Sequence, residues 1–131
     1  ELLIANETEA ESVFGKAPDT LESDTAGWSK LLAAKKIASL IVTRGARSTL
    51  VIHNGEFFEV PTYKVEPVDT VGAGDTFAGV FTAQRYAGME FREAVVWANV
   101  AGALATLQPG AQQGIPMAGD ITRALAAASE A

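Results

Sequence analysis

Cysteine is absent from the 131 residues, which removes disulfides, thiolate metal sites and a cysteine nucleophile together. That composition is compatible with a reducing compartment, and a cytoplasmic location is the expectation. Also missing is any apolar run approaching the roughly 18 to 20 residues that span a bilayer, and the opening Glu1-Leu2-Leu3-Ile4 has neither the basic start nor the length of a signal peptide. No membrane partner is expected. Basic residues are in deficit, 10 Lys and Arg against 16 Asp and Glu for a net charge of −6, and no cationic stripe offers itself to a nucleic-acid backbone. A single histidine, His53, precedes a turn without neighbouring ligand types and is assigned no metal. The phosphate-cradling pattern Gly-x-x-x-x-Gly-Lys-[Ser/Thr] does not occur, and Gly72-x-Gly74 lacks the third glycine of a dinucleotide fingerprint. A P-loop enzyme and a dehydrogenase are therefore set aside. What remains is a chain with 48% hydrophobic and 20% charged residues, of the length of one ordinary domain with one core.

The chain opens without Met and inside an apolar run, Leu2 to Ala5, which reads as a buried strand of a longer protein already under way. Thr8 to Phe14 has helical spacing and is stopped by Gly15, Pro18 to Asp24 reads as a loop, and Ala26 to Lys36 predicts a second helix carrying Trp28, Leu31 and Leu32. Ala38 to Thr43 then turns β-rich. Thr49 to His53 and Glu56 to Val60 flank Asn54-Gly55, the dipeptide that best tolerates the positive φ angles of a tight hairpin. Helices are predicted from about Asp75 to Ala87, Phe91 to Leu107 and Met117 to Ala128, and Trp28 and Trp97 are expected in the core. Alternating strands and helices imply a sheet covered on both faces, an α/β fold of three layers, α-β-α, with a mostly parallel sheet and one hairpin.

The chemically loaded stretch is Asp69-Thr70-Val71-Gly72-Ala73-Gly74-Asp75-Thr76-Phe77-Ala78-Gly79. Small residues at 72, 73 and 74 let a ligand approach the backbone. At a helix start their N–H groups point outward beside the positive end of the macrodipole, which makes an anion hole. Asp75 in the same first turn is placed to accept a proton from a hydroxyl while the amides hold a phosphoryl group. The plainer alternative is that Asp75 caps the helix and the glycines turn the chain. Asn6 with Glu9 has the spacing of a helix cap and its capping-box partner, and Asn99 among Ala98, Ala101, Gly102 and Ala103 suits a close helix packing. Arg44 and Arg47 read as solvated turn residues outside the site.

With those residues in view the sequence resembles the ribokinase-like, or PfkB-type, carbohydrate kinases. Asp69 to Gly79 looks like the family's C-terminal hallmark, Asn6-Glu7-Thr8-Glu9 like its Asn-x-x-Glu element, Val42-Thr43-Arg44-Gly45 like its nucleotide-binding strand end, and Pro109-Gly110-Ala111 like its late loop. These pieces match only the C-terminal portion of the family, so the N-terminal portion with most of the sugar pocket is expected to be missing from the 131 residues. The resemblance implies transfer of the γ-phosphoryl group of ATP to a sugar hydroxyl, with Asp75 as general base and Gly72, Ala73 and Gly74 as the anion hole. It also implies that Asn6 and Glu9 organise phosphate and Mg²⁺, Glu9 through water. Thr43, Gly45 and Ser48 would border the nucleotide, with Asn99 near the adenine. Asp69, with the carbonyls of Val71, Ala105 and Gly110, resembles a monovalent cation site for which K⁺ is expected. Two positions depart from the family: Ser48 stands where glycine usual in the turn is absent, and Val80 where a small residue usually follows Gly79. The alternative function is a non-catalytic nucleotide-binding fragment that needs a partner or its missing half, and the 131 residues alone are expected to be inactive. Uncovered strand edges of such a fragment would favour self-association into a homo-oligomer.

Overall fold

The computed structural model describes residues 2–45, 47–63 and 72–107. Where length suggests one core, the chain divides into two compact units, Glu1–Pro61 and Thr62–Ala131. In the first, the apolar run at the start forms β1 (Leu2–Asn6), and helix α1 (Glu7–Phe14) follows without a connecting loop because Asn6 both ends the strand and caps the helix. Gly15 closes α1 in the left-handed conformation (φ 65°), with its N–H bonded to the Glu11 carbonyl at 2.8 Å. The stretch read as a loop at 18 to 24 contains a 3-10 turn, Pro18–Thr20, since proline presets its first position. Asp24 then caps α2 (Thr25–Ala34), accepting from the Gly27 N–H at 3.1 Å. Lys16 lies against the same carboxylate and over the Trp28 ring.

Strands β2 (Ser39–Arg44), β3 (Arg47–His53) and β4 (Glu56–Val60) complete a sheet of order β1-β2-β3-β4. The hairpin turn is as expected, with φ of 53° at Asn54 and 82° at Gly55. The α/β class holds, but the described sheet is mixed rather than mostly parallel. β1 pairs β2 in parallel, and the two short connections after β2 force β2–β3 and β3–β4 to be antiparallel. Register places Leu40 opposite Ile52 and Val42 opposite Leu50, and these four form one face of the core with Ala10 and Phe14 of α1 and Trp28 and Leu32 of α2. Phe14 meets Trp28 edge-on at 5.2 Å, and the buried indole N–H donates to Thr20 Oγ1 at 2.9 Å.

The second unit contains α3 (Ala73–Tyr86) and α4 (Phe91–Ala105), joined by a turn through Gly88 at φ 98°. Phe81 and Phe91 meet edge-on at 5.0 Å beside that turn, and Arg85 reaches across it to the Met89 carbonyl at 2.8 Å. Val100 and Ala101 pack with Tyr63, Val80, Trp97 and Leu104, so Trp97 is a core residue, half-buried where Trp28 is fully so. Val80 thus acts in packing, as its helix-interior position implies. The helix expected at Met117 to Ala128 lies outside the described residues.

Candidate active site

Two helix starts in this protein are built in opposite ways. At α1 the Asn6 Oδ1 accepts from the Glu9 N–H at 2.8 Å and Glu9 Oε1 accepts from the Asn6 N–H at 2.9 Å, a reciprocal capping box. The plain structural reading of this pair is therefore realised. It leaves Glu9 Oε2 outside the box, on an exposed residue at the C-terminal edge of the parallel strands. Asn6 is also the register partner of Thr43, whose hydroxyl lies 3.5 Å from the Ala5 carbonyl. The ends of β1 and β2 thereby bring Asn6, Glu9 and Thr43 together, the arrangement in which open α/β sheets place ligands beyond the carboxyl ends of their strands.

At α3 the cap residue is Gly72, with φ 83° and ψ −3°, and no side chain caps the helix. The first helical bond runs from the Thr76 N–H to the Gly72 carbonyl at 2.9 Å, so the amides of Ala73, Gly74 and Asp75 precede the ladder and head the helix axis. Gly74 and Asp75 are exposed, and a Cβ at Gly74 would meet nothing within 4 Å. Among the described residues no side chain covers these amides, which stand at the positive end of a 14-residue helix with one carboxylate in its first turn. An anion can be held by such amides and a proton accepted beside it.

Gly102 of α4, seen in the sequence only as part of a small-residue stretch, has a positional role. A Cβ there would stand 3.3 Å from the Ala73 carbonyl, a tight contact to backbone, so glycine eases the approach of α4 to the first turn of α3. Nothing local marks it, because the approach is a tertiary contact between two helices. Asn99, three residues earlier, is buried at 5% exposure, and among the described residues no buried side-chain nitrogen or oxygen lacks a partner. This is the hydrogen-bonded packing role that its neighbours suggest.

Gly45 follows β2 at φ 62° with open space around it. Ser48 is not in the turn but in β3, without the positive φ that demands glycine, so its side chain does not strain the backbone. Its hydroxyl is engaged by Arg44 and Glu59. The reading of Arg44 as a solvated turn residue is overturned: its side chain is 8% exposed and hydrogen-bonded to acceptors on two segments, Ser48 and Asp19, with Glu59 paired to it at 3.7 Å. Arg47 is exposed as expected, though it reaches Glu7 and Asp19. His53 shares a hydrogen bond of 2.7 Å between its Nδ1 and Ser39 Oγ, and among the described residues no group of three or more His, Asp or Glu gathers to hold a metal. Of the proposed monovalent cation site only Ala105 is described, buried at the last position of α4; Asp69, Val71 and Gly110 lie outside the described residues. No described helix is long and apolar enough to cross a membrane.

Comparison with known proteins converges on one group. A fructokinase of Vibrio alginolyticus is 36% identical over 98 residues, covering 70% of this chain and 32% of its own length. A putative ribokinase II of Escherichia coli, solved in complex with ATP and Mg²⁺, superposes with a TM-score of 0.82 at 30% identity, covering 96% of this chain and 39% of that one. A double-mutant fructokinase of Vibrio cholerae O395, solved with fructose, ADP and potassium ion bound, gives a TM-score of 0.81 at 28% identity over 95% of this chain and 40% of that one. The chain spans about a third of the length of the curated relatives it matches. Since the model of the pfkB family carbohydrate kinases matches residues 1–118, and the strand-end and helix-start geometry above falls within that span, the chain belongs to this family.

Proposed function

We propose that this chain is the nucleotide-binding and catalytic part of an ATP-dependent sugar kinase. The observation that carries the reading is the start of α3, where a left-handed Gly72 replaces a capping side chain and leaves the amides of Ala73, Gly74 and Asp75 to a ligand. In this reading Asp75 accepts the proton of the attacking sugar hydroxyl, and the Gly72 to Gly74 backbone stabilises charge on the transferring γ-phosphoryl group. Both depend on position more than on covalent chemistry, and Gly102 supports that position by letting α4 close on the first turn.

On the first unit, Thr43, Gly45 and Ser48 border the nucleotide, and Asn6 and Glu9 serve its phosphates. The capping box supports this second role by fixing the Glu9 carboxylate while engaging only one of its oxygens. A hard oxygen donor of this kind fits Mg²⁺, which keeps several waters and is held chiefly through phosphates. When bound, the ion would neutralise charge on the phosphate oxygens. Asn99 near the adenine is the remaining nucleotide contact proposed. For the monovalent cation, K⁺, the proposed donors are Asp69 and the carbonyls of Val71, Ala105 and Gly110.

Relatives named as fructokinase, ribokinase and adenosine kinase support a carbohydrate or nucleoside acceptor. The short share of those relatives favours a second reading for the 131 residues in isolation, nucleotide binding without turnover. Calorimetric titration with Mg-ATP, with and without K⁺, tests the nucleotide assignment. A panel of ribose, fructose and nucleosides assayed for ADP release by the full-length protein tests the kinase assignment. Saturable, K⁺-sensitive binding with sugar-dependent ADP release is expected; binding without release on any acceptor would leave the second reading.

A further inference from the structure

Arg44 ends β2 and adjoins Gly45, yet its side chain is withdrawn from solvent to 8% exposure. All three nitrogens are used: Nε donates to the Ser48 carbonyl at 2.7 Å, Nη2 to the Ser48 hydroxyl at 2.6 Å, and Nη1 to Asp19 Oδ1 at 3.0 Å. Glu59 Oε2 lies 3.7 Å from Nη2 and accepts from the Ser48 hydroxyl. The two bonds to Ser48 close a ring from Arg44 through the turn to Ser48 and back, across the register shift that separates Val42 from Arg44 in the β2–β3 pairing. A planar fork can hold a carbonyl and a hydroxyl of one residue together, which a lysine ammonium cannot do in fixed geometry. The Asp19 carboxylate extends the chain of contacts, since its other oxygen accepts from Arg47, which also reaches Glu7 at the first position of α1, next to Asn6.

We propose that Arg44 is a positioning residue for nucleotide binding: it clamps the turn between Thr43 and Ser48 in the shape that receives the nucleotide, with the Ser48 hydroxyl as its anchor. The inference rests on the nucleotide reading of that turn. It gives Ser48 a use in a position where the family resemblance leads one to expect glycine, because the hydroxyl is tied to Arg44 and Glu59.

The test compares Arg44→Met, Arg44→Lys and, as a charge control on an exposed residue, Lys35→Met in the full-length protein. Mg-ATP affinity, KM and kcat are measured with amide exchange at residues 45 and 47–48. Arg44→Met is expected to raise the dissociation constant and the nucleotide KM by about tenfold or more, to leave kcat within a few-fold, and to speed exchange in the turn. Arg44→Lys should recover part of the affinity, and Lys35→Met should bind as the unsubstituted protein does. If Arg44→Met does not fold, Ser48→Ala removes the anchor alone and should shift KM and exchange in the same direction. Unchanged affinity in the variant that folds, or a fall in kcat at constant KM, would overturn the proposal. Absence of Mg-ATP binding by the unsubstituted protein would overturn the nucleotide reading and this inference with it, whereas binding that survives Arg44→Met unaltered overturns this inference alone.

Discussion

Asp75 stands exposed in the first turn of α3, and replacing it with Asn keeps its size while removing its ability to take a proton. In the full-length protein Asp75→Asn is expected to lower kcat by about two to four orders of magnitude with nucleotide affinity nearly unchanged, measured by steady-state kinetics and calorimetry. Near-normal turnover would remove the base assignment. At this scale the sequence was informative where chemistry is local. Gly72 to Asp75 announces a helix start without a cap, and Asn6 with Glu9 announces one with a cap, and both are found. Arg44 was misjudged because, beyond the nearby Ser48, its charged partners Asp19 and Glu59 come from a 3-10 turn 25 residues earlier and a strand 15 residues later, and no local pattern joins them.

At the scale of elements, α3 keeps its place partly because α4 offers it a glycine. Gly102→Val would drive a branched side chain into the Ala73 carbonyl, at an expected cost of about 1–3 kcal/mol in urea unfolding, with a loss of phosphoryl transfer larger than that of a comparably destabilised variant elsewhere. Helix α2 offers a test in pH. The Lys16 ammonium beside Asp24, together with the Gly27 N–H, holds the Asp24 carboxyl below its ordinary pKa. A lowered folded-state value stabilises the fold at pH above the ordinary carboxylate range and loses that contribution as pH falls through the lowered value. Asp24→Asn keeps the cap and removes the charge. Its stability deficit, small because the pair is exposed, is expected to be complete near neutrality, to shrink once pH falls below about 4 and to vanish below the lowered folded-state value. A deficit that persisted unchanged at pH 2 would show that the charge is not its cause. The positions of the elements were legible from apolar period, Gly15 and Asn54-Gly55. The sheet's mixed direction was less so, since alternation of strands and helices suggests parallel pairing and only the shortness of the connections after β2 opposes it.

For the whole molecule, the groups proposed for the nucleotide fall mainly in the unit Glu1–Pro61, while the base and the amides fall in Thr62–Ala131. The monovalent cation proposed beside the second set gives a further test. Asp69→Ala is expected to abolish most of the response of activity to K⁺ while leaving Mg-ATP affinity in K⁺-free buffer within a few-fold, read from activity against K⁺ concentration. An equally K⁺-responsive variant would remove Asp69 from the site. The mixed sheet also carries a kinetic consequence. β2 ends at Arg44 and β3 begins at Arg47, and β3 and β4 are linked by the turn at residues 54–55, so the pairing of these three strands closes small loops, whereas β1 reaches β2 only after α1 and α2 have been laid down between them. Local pairings cost little entropy to close and assemble early, and the parallel pairing comes late. Folding speed should therefore answer to changes at Asn54 and Gly55, and unfolding speed to changes in α1, whose cap carries Asn6 and Glu9. The strand end proposed to meet the phosphates would then be the last part of its sheet to form and the first to open.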